Sequence, residues 1–359
     1  MKKYLNKGLL YSWFNCAKMP IIIGIFIWGF IANMIIDDNL SRLKSDMAYN
    51  FSNDLYTVNI GEYFMLGIIF TAIYFISKGI NKRNTEMFLS SGPYTKKQIK
   101  NNELICLLIT LVVFIITYAY IALMVYVRNR EFLSIVEGYQ NIILIEITRI
   151  TLIGVIGIIF MSVIDSMFSN SVVGFIGMIS IIPISIALII GKFLSILCYF
   201  GFKENYSLFE GLRRLILGNP ASGDYAETMR IILIDRASIR KITSNQLSIE
   251  IIIALICILI MLIIYNIAQT KYKLECSNKI FSSKTNENIV VALVSVALGS
   301  LTSFIFLAGF LNDMQHRSGD YLPLFGADLA KGLGADLLCV IIVGLIVNKI
   351  MKKVLKNIV

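Results

Sequence analysis

The chain has 359 residues, of which 57% are hydrophobic and 16% are charged, and its mean hydropathy is +0.75. This composition excludes a soluble globular domain, whose surface must be largely polar, and the length excludes a single membrane anchor. The net charge of +10 does not indicate a nucleic-acid partner, because the basic residues cluster beside apolar runs in the positive-inside pattern of membrane proteins.

Eight apolar runs are long enough for helices that cross a hydrocarbon core of ~30 Å, which takes roughly 20 residues each. These runs are rich in Ile, Leu and Phe and do not alternate with polar residues, which excludes an outer-membrane barrel. The sequence therefore predicts an all-α polytopic membrane protein. The spans are expected at about 20–36, 62–77, 104–127, 141–164, 171–201, 249–268, 289–311 and 335–350.

Residues 1–19 predict an amphipathic helix that lies on the membrane surface before the first span. Its lysines cluster on one side, and an apolar arc on the other side comprises Leu5, Leu9, Leu10, Trp13 and Ala17. The alternative is an ordinary basic flank of the first span. Pro20 predicts a corner, and the polar, net acidic stretch 37–61 predicts an outer loop.

The stretch 78–103 is more structured than a simple connection between two spans requires. It carries six Lys and Arg residues around a small apolar cluster formed by Met87, Phe88 and Leu89. A short helix is expected to start near Asn84 and Thr85 and to stop at Gly92 and Pro93. Thr95 and Gln98 then have the spacing of a capping box for the next helix. The stretch predicts a docking element on the cytoplasmic side.

Few ionisable residues occur within the spans, so each is informative. Glu146 and Arg149 are three residues apart on the fourth span and share one helix face. They are a candidate intramembrane pair, which either faces a substrate path or helix interface or satisfies itself near the outer headgroups. Lys192 is expected to snorkel near an outer boundary, with a role in a substrate pathway as the alternative, and Asp165 is expected to be a solvated cap at an inner turn.

The distribution of charge orients the chain in a cell (plasma) membrane. Predicted inner segments hold 18 Lys and Arg residues, against 6 in the outer loops once the long insert is set aside. Both termini are therefore expected in the cytoplasm. The predicted organisation is an interface helix at 1–19, a six-span core at 20–269 with the coupling loop 78–103 and the extracytoplasmic insert 202–248, a cytoplasmic connector at 270–288, and two further spans with a basic tail at 289–359.

The sequence lacks the residues that common catalytic sites need. It has no G-x-x-x-x-G-K-[ST] phosphate loop and no G-x-S-x-G elbow, and its single histidine, His316, cannot form a zinc-peptidase motif or a catalytic triad. Its six scattered cysteines fit neither a disulfide framework nor a zinc site. We expect a non-catalytic membrane subunit without a bound cofactor or metal, which takes its energy from a partner at the coupling loop.

The arrangement resembles the permease subunit of a type-2 ABC transporter, in an eight-span bacterial branch of that family. The match to the family's coupling helix comprises Lys82, Arg83, Asn84, Thr85, Glu86, Met87, Phe88 and Leu89, followed by Pro93, Tyr94, Thr95 and Lys96. Asn84 stands where the family usually has glycine. A Tyr…Glu…Phe pattern similar to that of the branch comprises Tyr265, Tyr272, Glu275 and Phe281.

The resemblance implies two cytoplasmic ATPase subunits that bind ATP and Mg²⁺ and dock on the coupling helices of two paired permease chains. The cluster at Met87, Phe88 and Leu89 would fill a cleft on the ATPase, and Lys82, Arg83 and Glu86 would lie at its rim. Export of a drug, an antimicrobial peptide or a lipid-like molecule is the function it implies. A secondary transporter, or a sensor of peptides acting through the insert 202–248, are the alternatives. The residues leave open the substrate and the choice between homodimer and heterodimer.

Overall fold

The computed structural model describes residues 6–50, 55–78, 82–136, 138–199, 238–242, 244–271, 280–316 and 326–358, together with Leu233 and Arg236. Within these ranges the chain is helical apart from short connections, and eight helices are long and apolar enough to cross a membrane. The chain is therefore an all-α polytopic membrane protein, as the sequence predicts. The insert 202–248 lies mostly outside the described residues.

The helices follow the apolar runs of the sequence. They are α1 (Lys7–Asn50), α2 (Phe64–Lys78), α3 (Lys82–Ser91), α4 (Lys96–Arg128), α5 (Arg130–Leu133), α6 (Tyr139–Met167), α7 (Ser171–Ile176), α8 (Ile182–Tyr199), α9 (Ser244–Lys271), α10 (Lys284–His316) and α11 (Gly326–Ile358). A π-helical turn, Gly177–Ile181, joins α7 to α8, and short 3-10 helices cover Ile60–Tyr63 and Ile239–Lys241.

Helix α1 is longer than the sequence suggests. It continues through Pro20 as far as Asn50, a length of about 66 Å at 1.5 Å per residue. The corner predicted at Pro20 and the loop predicted to begin at residue 37 are therefore wrong. A proline removes one helical hydrogen bond, and this loss is tolerated in membrane helices where neighbouring helices support the chain. Here α1 packs along both α2 and α4.

The chain divides into two compact units. Unit 1 contains α1 to α5, α6 as far as Val163, and α9. Unit 2 contains the end of α6 together with α7, α8, α10 and α11. In this division the fifth span, α7 and α8, is grouped with the last two spans, and the predicted bounds of the six-span core stay a prediction.

In unit 2, α10 and α11 approach closely where small residues face each other. A methyl group at Gly299 would lie 2.6 Å from the carbonyl oxygen of Val340, and one at Gly344 would lie 3.5 Å from that of Ser295. Small residues allow membrane helices to pack backbone against backbone, where van der Waals contact replaces the missing hydrophobic drive. Gly299 is therefore a packing residue of this helix pair.

We predict that Gly299→Ala lowers the thermal stability of the detergent-purified protein, because the new methyl group would force α11 away from α10. Overpacking of this kind costs about 1–3 kcal/mol. Gly309→Ala is the matched control on the same helix, since a methyl group there would have nothing within 4 Å. Equal melting temperatures for the two variants would contradict the close approach.

Candidate functional site

Helix α3 is a short helix set between two spans, and a well-formed turn fixes it to α4. It ends at Ser91, and the N–H of Gly92 donates to the carbonyl of Leu89 at 3.3 Å. Both halves of the capping box are present: the N–H of Gln98 donates to Thr95 Oγ1 at 3.3 Å, and the N–H of Thr95 donates to Gln98 Oε1 at 2.9 Å. Hydrogen bonds thus fix the turn between α3 and α4, which contains Pro93, to the end of α3 and to the start of α4.

The apolar cluster of α3 is open to the outside. Phe88 is 77% exposed, Met87 is 39% exposed, and Leu89 is half-buried. An exposed phenyl ring on a ten-residue helix is a candidate contact for another protein, since burying it would be favourable by ~1.5–3 kcal/mol. Lys82, Arg83, Thr85 and Glu86 lie on α3, and their side chains are outside the described part of the structure.

The start of α1 lies beside this turn. A methyl group at Gly8 would come 3.0 Å from Tyr94 Oη. Leu9 and Trp13 are buried in the structure, so their shared arc contacts other residues of unit 1, whereas Leu5 is outside the described residues. The location of residues 7–19 at the membrane interface stays a prediction.

Glu146 and Arg149 form a completely buried ion pair in unit 1, because neither side chain has any exposed surface. Arg149 Nη1 lies 2.8 and 2.9 Å from the two carboxylate oxygens of Glu146 and donates to the carbonyl of Val58 at 2.6 Å. Arg149 Nε donates to the carbonyl of Leu233 at 3.2 Å. The pair is therefore buried against backbone from two connecting segments and does not extend to the surface as a snorkelling pair would.

The carboxylate of Glu146 also organises the residues before α2. It accepts the N–H of Val58 at 2.8 Å and the hydroxyl of Tyr63 at 2.6 Å. Tyr63 in turn lies 3.4 Å, oxygen to oxygen, from Tyr118 on α4, whose ring stacks on Trp28 of α1 at 6.2 Å between centroids. One buried carboxylate thus connects α6 to α1, to α4 and to the connection before α2.

A cleft lies next to this network in unit 1. Its interior has a volume of about 30 Å³, and the recess around it is open to the outside. Its described walls come from α1, from the connection after α1, from the start of α6, from Arg236, and from one residue of α4. The lining residues are Ile36, Asn39, Leu40, Leu43, Asp46, Leu55, Tyr56, Val58, Tyr118, Tyr139, Ile142, Ile143, Glu146 and Arg236.

Unit 2 holds a second buried ion pair, and it corrects the expectation for Lys192. Lys192 Nζ lies 2.5 Å from Asp336 Oδ1 and 2.8 Å from Ser303 Oγ, and it sits 4.7 Å from the centroid of Phe304. Ser303 also hydrogen-bonds to Asp336. The lysine is buried and paired, so the snorkelling expected from its sequence position is wrong.

Sequence reasoning missed Asp336 because it lies at the start of an apolar run, where an acid is easily taken for a helix cap. The sequence does not show that the side chain of Asp336 is completely buried. Asp165 was expected to be solvated, but it too is buried, so that prediction is wrong.

Tyr265 of the expected Tyr…Glu…Phe pattern donates to the carbonyl of Lys100 at 3.0 Å, and Phe281 packs on Phe168 at 5.2 Å between centroids. Tyr272 and Glu275 are outside the described residues.

Comparison of the chain with protein-family models, with curated proteins and with solved structures gave no match. Within the described ranges, no group of three or more His, Cys, Asp or Glu side chains could hold a metal ion. The candidate site therefore rests on three features of the structure itself: the exposed helix α3, the Glu146 network with its cleft, and the Lys192–Asp336 pair.

We predict that Glu146→Gln strongly destabilises the protein, because Arg149 would stay buried without its counter-charge. Removal of one partner of a buried pair costs about 3–5 kcal/mol. Thermal unfolding followed by the fluorescence of Trp13 and Trp28 measures the loss, and Glu131→Gln, at an exposed position of α5, is the control. A melting temperature for Glu146→Gln equal to that of the control would show that the pair is not needed.

We predict that Lys192 and Asp336 are energetically coupled. Lys192→Met or Asp336→Leu alone leaves a buried charge unpaired, whereas the double variant removes both charges together. The double variant should therefore be more stable than the sum of the single effects by about 0.5–3 kcal/mol. A double-mutant cycle of unfolding free energies measures this coupling, and strictly additive effects would contradict the ion pair.

Proposed function

We propose that the chain is the transmembrane permease subunit of an ATP-driven ABC exporter, with α3 as the helix on which a separate cytoplasmic ATPase docks. The observation that carries the proposal is the exposed Phe88 on a short helix between two spans. At ten residues, α3 is too short to cross a bilayer. A large apolar side chain held outside the spans by a defined turn is what a protein partner would bury.

The contacts around α3 suit the transmission of a movement into unit 1. The capping box joins the turn to α4, which has 33 residues and packs along α1. Tyr265 ties α9 to the start of α4 through the carbonyl of Lys100, and Gln269 contacts Asn101 at 3.1 Å. A displacement of α3 by a partner would therefore move the ends of α4 and α9 together.

Under this proposal ATP and Mg²⁺ bind to the partner ATPase and the permease chain itself is not catalytic. A second permease chain, identical or related, would complete the transporter. Helix α9 offers one candidate face for lipid or for that chain, since large apolar side chains along its length are exposed, among them Ile252, Ile256, Leu259 and Ile263. Both termini would lie on the cytoplasmic side with α3, and the cargo would be amphipathic: a drug, an antimicrobial peptide or a lipid-like molecule.

A secondary transporter is the second candidate, favoured by the two buried ion pairs, because ionisable groups inside spans often mark ion pathways. Both acids have a basic partner in the structure, Glu146 with Arg149 and Asp336 with Lys192. Transport driven by an ion gradient in vesicles without ATP would support this candidate over the ABC permease.

We predict that an ABC ATPase, in the first instance one encoded by an adjacent gene, co-purifies with the wild-type chain, and that Phe88→Asp reduces this association at least tenfold. The aspartate replaces the most exposed apolar side chain of α3 by a charge that cannot be buried cheaply. Ser91→Asp is the control, because it adds the same charge to the same helix without removing the phenyl ring.

The readout is the ratio of ATPase to permease after purification from membranes, with membrane insertion checked for every variant. Normal association of the Phe88→Asp variant would refute docking through α3. Absence of any ATPase from the wild-type preparation, together with ATP-independent transport, would refute the proposed function.

A further inference from the structure

Leu233 lies inside the helix bundle of unit 1, although it belongs to a connecting segment and not to a span. Its side chain forms one buried cluster with Leu152 of α6 and Ala254 of α9, and only 7% of its surface is exposed. Leu152 lies about 20 Å along the axis of α6 from its first residue, and Ala254 lies about 15 Å along α9. Leu233 is therefore packed among the spans far from the ends at which they begin.

The depth of Leu233 puts a demand on its backbone. Helix α6 has 29 residues and is about 43 Å long, so that Leu152 is close to its middle. The middle of a span that crosses a hydrocarbon core of about 30 Å lies at the level of the acyl chains. Leu233 is in a turn and not in a helix. Backbone of this kind is tolerated at such depth only where its N–H and C=O groups find partners inside the protein.

Two charged side chains supply those partners. The N–H of Leu233 donates to Glu250 Oε2 at 2.9 Å, and the carbonyl of Leu233 accepts from Arg149 Nε at 3.2 Å. Because Glu250 lies on α9 and Arg149 lies on α6, each of the two spans holds one backbone group of the same residue. Arg149 is fixed in turn by Glu146, and Gln246 Nε2 donates to Glu250 Oε1 at 3.3 Å. Leu233 is thus clamped between the two spans.

The chain after Leu233 leads back towards the start of α6. Ile239 packs beside Ile142 and Ile145, which lie about 5–9 Å along that helix. The N–H of Ile239 donates to the carbonyl of Leu55 at 2.8 Å. The described residues of this segment therefore lie at two levels of α6, and Leu233 is at the deeper one.

Beyond the level of Leu233, α6 and α9 contact each other directly. Ile159 and Val163 of α6 form a buried cluster with Tyr265 of α9, and Ile258 packs against it. The two spans thus meet on one side of Leu233, whereas Leu233 itself stands between them at its own level. If the side chain left this position, a gap would open between the spans, and the cluster at Ile159 would close that gap on one side.

We propose that Leu233 is a seal between α6 and α9, and that Arg149 and Glu250 are the positioning residues that hold it at mid-span depth. Release of its backbone would let the segment withdraw and would admit water to the middle of α6, next to the buried pair of Glu146 and Arg149. The position of one connecting segment thus controls whether water reaches that pair. The inference does not depend on the proposed transport function or on the orientation of the chain.

The test measures the reactivity of single cysteines, in a chain without its native cysteines, with a charged maleimide. Lipid nanodiscs give this membrane-impermeant reagent access to both faces. Leu233→Cys is expected to react at least tenfold more slowly than Ser244→Cys, which is exposed at the first position of α9. Addition of Glu250→Leu should raise the rates of Leu233→Cys and Leu152→Cys at least fivefold, because the N–H of residue 233 loses its acceptor.

Three controls separate the clamp from a general loosening of the fold. Glu250→Gln keeps an oxygen that accepts the N–H, so Leu233→Cys should react as slowly as without it. Glu131→Leu removes an acid from an exposed position and should also have no effect. A chain with Cys106 as its only cysteine, which is completely buried on α4, should stay unlabelled when Glu250→Leu is added.

Equal rates for Leu233→Cys and Ser244→Cys would overturn the proposal without any change at Glu250. An unchanged rate of Leu233→Cys in the presence of Glu250→Leu would overturn the role of Glu250, and fast labelling with Glu250→Gln would overturn the role of its hydrogen bond. If Leu233→Cys became reactive while Leu152→Cys did not, water would not follow the segment and Leu233 would not be a seal. Labelling of Cys106 at the same raised rate would assign the effect to unfolding and would also overturn the proposal.

Discussion

The constraint on which unit 1 depends is the cost of burying a charge in an apolar bundle. Arg149 is a full cation without exposed surface, and the carboxylate of Glu146 beside it makes that burial tolerable. The ion pair leaves further hydrogen-bond donors and acceptors of both side chains to be satisfied. Backbone groups of Val58 and Leu233 satisfy them. Connecting segments that would otherwise lie on the surface are thereby tied to the fourth span.

In unit 2 the buried charge of a lysine is compensated by side chains from two other helices. Lys192 on α8, Ser303 on α10 and Asp336 on α11 meet in one buried contact, next to the close approach at Gly299. Interactions between membrane helices lack a hydrophobic drive, so close packing and polar contacts have to fix which helices pair. The ion pair therefore specifies that the fifth span belongs with the last two spans, an association that chain order does not suggest.

The sequence predicted what depends on local composition and spacing, and failed where distant residues decide. The eight spans and the capping box of Thr95 and Gln98 follow from apolar length and from a four-residue motif. Pro20 predicted a corner because proline weakens an isolated helix, but α1 is supported along its length by α2 and α4. The partner of Lys192 is 144 residues away along the chain, and no local pattern identifies it.

The unbroken course of α1 has a mechanical consequence for unit 1. Its first turn lies beside Tyr94, at the turn that follows α3, and its far part lines the cleft at Leu40 and Leu43. This helix of about 66 Å thus extends from that turn to the cleft, and a tilt of about 5° of the whole helix would displace one end by about 6 Å relative to the other. A movement of the turn beside α3 would thereby be transmitted to the cleft.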